Sequence, residues 1–321
     1  MPGYLDSLDV HPTEVVITDT NFHKYIDPHT DESGTRKKGL IPRNWETHPQ
    51  GFYRGEVGVD AVTDLPSFDP SDFPRLIDEQ LKEGRRLSDF RASRGPNGSL
   101  IPSRDQNGRG YCWRHSGTSA HLLLRAVQDM PYADLSAYAG ACMIKNFRDE
   151  GGWGAQGLDD IMERGDPTSE FWPQQGTSRS YDKPETWANA KLHRITEGFI
   201  DLGSPQYDRN LTVNQMITCL LCNIPVIVDF NWWGHSVCAM DAVNGKSQWK
   251  VTRNGFSGKL MTLGEFDSFW GMYTVMAGVS IRILNSWGDS WSEKGAGILT
   301  GSKAVPNGAT APRLASISVA A

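Results

Sequence analysis

Gln106-Asn107-Gly108-Arg109-Gly110-Tyr111-Cys112-Trp113 is the stretch whose reading decides the fold. A glycine-flanked run ends in a cysteine, and the small, apolar segment Ser116 to Val127 follows it as a helix. The arrangement puts a thiol at a helix N-terminus. Unpaired N–H groups and the macrodipole favour an anion there, so the nucleophilic thiolate forms more readily. Such a nucleophile needs a base and a group to orient that base.

Both are found downstream. His235 follows the β-branched run Pro225-Val226-Ile227-Val228-Asp229-Phe230, which reads as a strand bounded by Pro and Gly. Ser236 to Val243 reads as a second strand with the histidine at its mouth. Asn285 closes a third strand, Ile281-Arg282-Ile283-Leu284, and begins Asn285-Ser286-Trp287-Gly288. Cys, His and Asn in this order form a nucleophile, base and orienter set. His115 and His121 are nearer in sequence but share the nucleophile's own helix.

These residues resemble the papain-like cysteine peptidases. Gln106 stands six positions before Cys112, where that family has its oxyanion-hole glutamine, and Trp113 follows the nucleophile. Asp89-Phe90-Arg91 and Ile101-Pro102-Ser103-Arg104-Asp105-Gln106 resemble the start of the family's mature domain. Glu150-Gly151-Gly152-Trp153 resembles the glycine-rich wall of its substrate groove. Asn285-Ser286-Trp287-Gly288, with Trp291 and Gly295, resembles its asparagine motif. The resemblance implies an α+β, two-lobe fold with a helical lobe and a β-barrel-like lobe. It implies a thiol endopeptidase acting on peptide or protein substrates without a cofactor or metal. Cys112, His235, Asn285 and Gln106 would be catalytic; Gly151, Gly152, Trp153 and Trp287 would bind substrate or shelter the site.

The chain departs from the family at several points. Arg109 and Asp149 occupy the two positions of a usual disulfide, and an Arg109–Asp149 ion pair is expected in its place. About fifty residues separate His235 from Asn285, a long spacing for the family. The extra segment, Gly245 to Met276, is expected to form a hairpin and a short helix, Leu263 to Trp270, since long structureless loops are uncommon.

The sequence divides into residues 1–87, a peptidase-like domain at 88–301, and a tail at 302–321. The first part has one convincing helix, Ser71 to Leu87, and reads as an arm or a pro-segment. Further helices are expected at Asp134 to Arg148, Gly157 to Arg164 and Thr212 to Cys222. The tail reads as an extended strand or arm. Arms at both ends would imply a large protein assembly, so the alternative function is a virion- or assembly-associated subunit on the same fold. A cell-wall amidase of another clan is disfavoured by Gln106 and the asparagine motif.

The 321 residues carry a net charge of −6, which gives no broad nucleic-acid footprint. No run approaches the roughly 20 apolar residues a membrane span needs, and Met1 to Val10 lacks the apolar core of a signal peptide. The expected location is intracellular, with the virion as the alternative. Five cysteines, an odd number without a staple framework, suggest reduced thiols. Cys219 and Cys222 form a Cys-x-x-Cys pair with no second pair at metal spacing, so zinc is not expected.

Overall fold

The helix that begins at Cys112 runs to Val127 and is buried along nearly its whole length. The computed structural model that places it describes residues 10–26, 37–48, 67–202, 209–244, 279–313 and 315–316. In chain order the elements are β1 (Val15–Ile17), α1 (His23–Ile26), α2 (Phe73–Lys82), α3 (Leu87–Ser93) and α4 (Cys112–Val127). Next come α5 (Ala137–Ile144), α6 (Gly154–Glu163), α7 (Pro184–Ala190), β2 (Arg194–Ile195), β3 (Phe199–Asp201) and α8 (Arg209–Leu221). The last are β4 (Val226–Phe230), β5 (His235–Asn244), β6 (Val279–Leu284), β7 (Ala296–Leu299), β8 (Gly308–Pro312) and β9 (Ala315–Ser316).

Among the described residues, seven strands form one sheet in the order β1-β7-β6-β5-β4-β8-β3. Only the β1–β7 pairing in it is parallel. The helical set packs against this sheet through α4, which touches β5 and β4 on one side and α5 and α6 on the other. This is the α+β arrangement that the resemblance implies. The sheet strands are rich in β-branched and small residues, buried on both faces, which explains why β4 and β5 read as near-continuous apolar runs.

Both ends of the chain enter the sheet. Val15–Ile17 pairs with Gly297–Leu299, and the Glu14 carboxylate takes Nε of the buried Arg282 at 2.7 Å. Arg282 also reaches Asp241 at 2.9 Å. At the other end β8 lies between β4 and β3.

Two expected helices are shorter than the sequence suggested. The helix expected over Ser71 to Leu87 stops at Lys82, because Gly84 takes φ +61°. A new helix starts at Leu87, where Asp89 accepts the Arg86 N–H. The helix expected over Asp134 to Arg148 spans only Ala137–Ile144 and ends where Asn146 and Phe147 turn to positive φ. The expected hairpin and helix of 245–276 lie outside the described residues.

Candidate active site

Cys112 opens α4 and is fully buried. Burial pushes its thiol up to about 12, and the main-chain groups of Ser236 and Gly39 beside it oppose the rise. Desolvation therefore outweighs the helix N-terminus that the sequence singles out.

His235 is the first residue of β5, so Ser236, whose main chain lies beside the sulfur, is its chain neighbour. Its Nε2 lies 2.7 Å from Asn285 Oδ1. That oxygen also accepts the Ser286 N–H at 2.8 Å, so the carboxamide presents an acceptor to the ring and Nε2 carries the proton. The other ring nitrogen, Nδ1, is buried with no hydrogen-bond partner among the described residues. Burial drives the imidazole down to about 3; the Asn285 bond opposes this, and the Lys38 ammonium adds to it. Trp287 stacks on the imidazole, centroids 4.8 Å apart and planes 28° apart. Trp233 meets it edge-on at 5.0 Å. The two indoles keep water from the His235–Asn285 bond.

Gln106 is held on every side. Its Oε1 accepts the Ser286 hydroxyl at 2.6 Å, its main-chain N–H donates to Ser286 O at 2.9 Å, and its own carbonyl accepts the Tyr138 hydroxyl at 2.7 Å. The amide Nε2 donates to two main-chain oxygens at 2.6 Å, those of Arg109 and Lys37.

Lys37 belongs to a strap, residues 37–48, that runs across the site. Gly39 lies so close to Gly110 that a Cβ on it would stand 2.1 Å from the Gly110 oxygen. Leu40 bridges Gly152: Gly152 N–H donates to Gly39 O and Ile41 N–H donates to Gly152 O, both at 2.9 Å. Leu40 N–H donates to Gly234 O at 3.1 Å, beside His235. Farther along, the Arg43 guanidinium reaches Asp201 and the His48 ring meets Trp153 at 4.9 Å. An extended backbone thus already lies on Gly151 and Gly152, and a Cβ at Gly151 would meet Gly39 O at 2.4 Å.

Cys112, His235, Asn285 and Gln106 therefore share one buried locality, with Trp287 over it and Gly151, Gly152 and Trp153 along the strap. The expected Arg109–Asp149 ion pair is not formed. Asp149 takes Lys37 Nζ at 2.6 Å and the Gly110 N–H at 2.7 Å, and Arg109 acts on it only through space. The strap outcompetes Arg109 because Lys37 is fixed beside that carboxylate by its carbonyl bond to Gln106. His121 is tied to Asp166 at 3.0 Å, and His115 packs edge-on against Tyr138. Neither joins the site. All five cysteines are unbridged. Sequence reasoning missed the strap. Its signal was Gly39-Leu40-Ile41-Pro42, in which Pro42 biases Ile41 to extended backbone and no helical period is present.

Comparison with solved structures finds papain-like cysteine proteases. Xylellain, a cysteine protease from Xylella fastidiosa, is similar over 86% of this chain and 96% of its own, at 13% identity and a TM-score of 0.49. Procathepsin L 3 of the Tenebrio molitor larval midgut is similar over 76% and 90%, at 16% identity and a TM-score of 0.45. Bromelain from Ananas comosus, in complex with the E64 inhibitor, is similar over 71% and 97%, at 14% identity and a TM-score of 0.47. These are likenesses of fold. No family model matches the chain, and no curated protein matches it by sequence.

Proposed function

We propose that the protein is a thiol endopeptidase whose groove, in this state, is covered by its own residues 37–41. One observation carries the reading: the Gln106 amide, six residues before the cysteine that opens α4, holds a main-chain carbonyl, that of Lys37, at 2.6 Å. A substrate carbonyl placed there would be polarised in the same way.

With the strap displaced, water re-enters and the desolvation that keeps Cys112 and His235 neutral is relieved. The Cys112 proton then passes to His235 Nδ1, the ring nitrogen not engaged by Asn285. The thiolate attacks the substrate carbonyl carbon, forming a C–S bond. The resulting oxyanion is held by the Gln106 amide and the Cys112 N–H. The imidazolium returns its proton to the leaving amine as the C–N bond breaks. A water then loses a proton to His235 and attacks the thioester carbon; the C–S bond breaks, releasing the acid and the Cys112 thiolate. Asn285 fixes the ring throughout.

Incubation of wild type and Cys112→Ala with a peptide library, read by mass spectrometry, tests this. Cleavage is expected from wild type and none from the variant; equal cleavage by both removes Cys112 as nucleophile. An assembly role for the chain ends would have to use residues beyond β1 and β8, which are engaged in the chain's own sheet.

A further inference from the structure

Cys219 and Cys222 take no part in the site described above. They lie at the end of α8, where the Cys222 N–H donates to Thr218 O and to Cys219 O, both at 3.0 Å. The two cysteines are thus one helical turn apart. Cα atoms so placed are about 5 Å from each other, within the roughly 4.4–6.8 Å that a disulfide spans. Cys222 is exposed, Cys219 is buried, and the two are unbridged. An accessible thiol with a second thiol beside it is the arrangement in which an oxidised first sulfur is resolved by its neighbour.

The same turn is where α2 docks. The buried Gln80 donates its Nε2 to Leu220 O at 3.1 Å, to Leu221 O at 3.3 Å and to Asn223 Oδ1 at 2.8 Å. The first two are the carbonyls between the cysteines. The Phe68 N–H donates to the Thr218 hydroxyl at 3.2 Å. The last carbonyls of a helix have no partner within it, so Gln80 is both cap and tether. Cβ atoms three residues apart on a helix are about 5–6 Å apart, and a disulfide needs roughly 3.5–4.5 Å. Closing the bond draws the turn in across the very carbonyls that Gln80 holds.

Neither thiolate is favoured here. Burial pushes Cys219 up to about 12, the charge of Cys222 adds to the rise, and burial raises Cys222 as well. The negative end of the helix acts in the same direction. A dithiol whose thiolates are not stabilised leaves its disulfide comparatively resistant to reduction, the reverse of a Cys-x-x-Cys pair at a helix N-terminus.

We propose that Cys219 and Cys222 form a reversible disulfide by exchange with a small-molecule disulfide, and that closing this bond loosens α2 from the end of α8. The inference is independent of the peptidase reading. The Cys222 thiol loses its proton and its sulfur attacks one sulfur of the small disulfide. That S–S bond breaks, one small thiolate leaves, and a mixed disulfide stands on Cys222. Cys219 then loses its proton and attacks the Cys222 sulfur, and the second small thiolate leaves. Two electrons pass from the protein to the small disulfide, which ends as two thiols.

Oxidised glutathione is the probe. The full-length protein is incubated with it at alkaline pH and digested without reduction, and amide exchange of residues 73–82 is followed by mass spectrometry. A Cys219–Cys222 cross-link is expected, with the α2 amides exchanging about tenfold faster than in the reduced protein, the scale of one or two lost hydrogen bonds. Dithiothreitol should reverse both changes, and Cys222→Ser, a change at an exposed position, should show neither. Gln80→Leu should speed α2 exchange in the reduced protein and leave the cross-link little to add. A glutathione adduct that stays on Cys222, a Cys222–Cys222 link between two chains, or a cross-link that leaves α2 exchange unaltered overturns the proposal. So does an undiminished effect of the cross-link in Gln80→Leu.

Discussion

The main-chain oxygen of Lys37 sits 2.6 Å from Gln106 Nε2 and accepts its hydrogen bond; on the proposed reading the chain's own backbone there takes the place of a developing oxyanion. The same strap brings the Gly39 main chain beside the Cys112 sulfur. On the proposed reading the thiol is a nucleophile kept dry, neutral and covered, and its reactivity would be governed by how readily residues 37–41 lift.

Gly39 is where the strap is most sensitive. A Cβ there would lie 2.1 Å from a backbone oxygen that cannot rotate away. Gly39→Val should expel the strap and raise the rate of Cys112 alkylation by iodoacetamide about tenfold or more. Lys37→Ala should do much less, because the Lys37–Asp149 pair is partly exposed and such pairs contribute about 0–1 kcal/mol. Mass-spectrometric timing of the adduct distinguishes the two.

On the proposed reading, Gln106→Ala removes a donor to the oxyanion. In a Gly39→Val background kcat should fall about 10²–10³-fold with little change in KM, as for loss of one such donor. A change confined to KM would assign Gln106 to strap binding alone.

Asp229 sets a pH dependence. Burial, and secondarily the charge of Asp201, lift its carboxyl to about 6, against bonds from Ser236 and Gly154 and the Arg43 charge. A carboxyl raised on folding holds its proton more tightly folded than unfolded. Its contribution is therefore complete below the ordinary carboxylate range and is lost as pH rises toward 6. The loss amounts to about 3 kcal/mol for a rise of this size. Thermal melts of Asp229→Asn should lack the fall between about pH 4 and pH 6 that wild type shows.

Arg114 is fully buried among Asp160, at 3.0 Å, and Asp166, at 2.6 Å. Arg114→Met leaves the carboxylates without that cation and should cost about 3–5 kcal/mol. Denaturant unfolding measures this. A loss under 1 kcal/mol would mean that the cluster is neutralised by protonation.

Much of the site was legible because its parts carry local signals. A glycine-flanked cysteine before an apolar run marks a helix start, and β-branched runs mark β4, β5 and β6. The order of Cys112, His235 and Asn285 then suggests convergence. The strap was not legible, because Gly39 and Leu40 have no period, and their contacts to Gly110 and Gly152 are backbone contacts that depend little on side-chain type. Lys37 taking Asp149 from Arg109 depends on that unforeseen path. The Arg43–Asp201 pairing was hidden for a related reason. Asp201 and Asp229 lie on different strands, and only the insertion of β8 between β3 and β4 places them on one face.

A thiol-directed epoxide probe offers the most direct measurement. Wild type, Gly39→Val and Gly39→Val with His235→Ala are each incubated with it, and adducts are located by mass spectrometry. A single adduct on Cys112 is predicted, forming slowly in wild type, fast in Gly39→Val and barely without the imidazole. No adduct on Cys112 in any of the three, or equal labelling of Cys112 and the exposed Cys222, would contradict a covered thiol nucleophile.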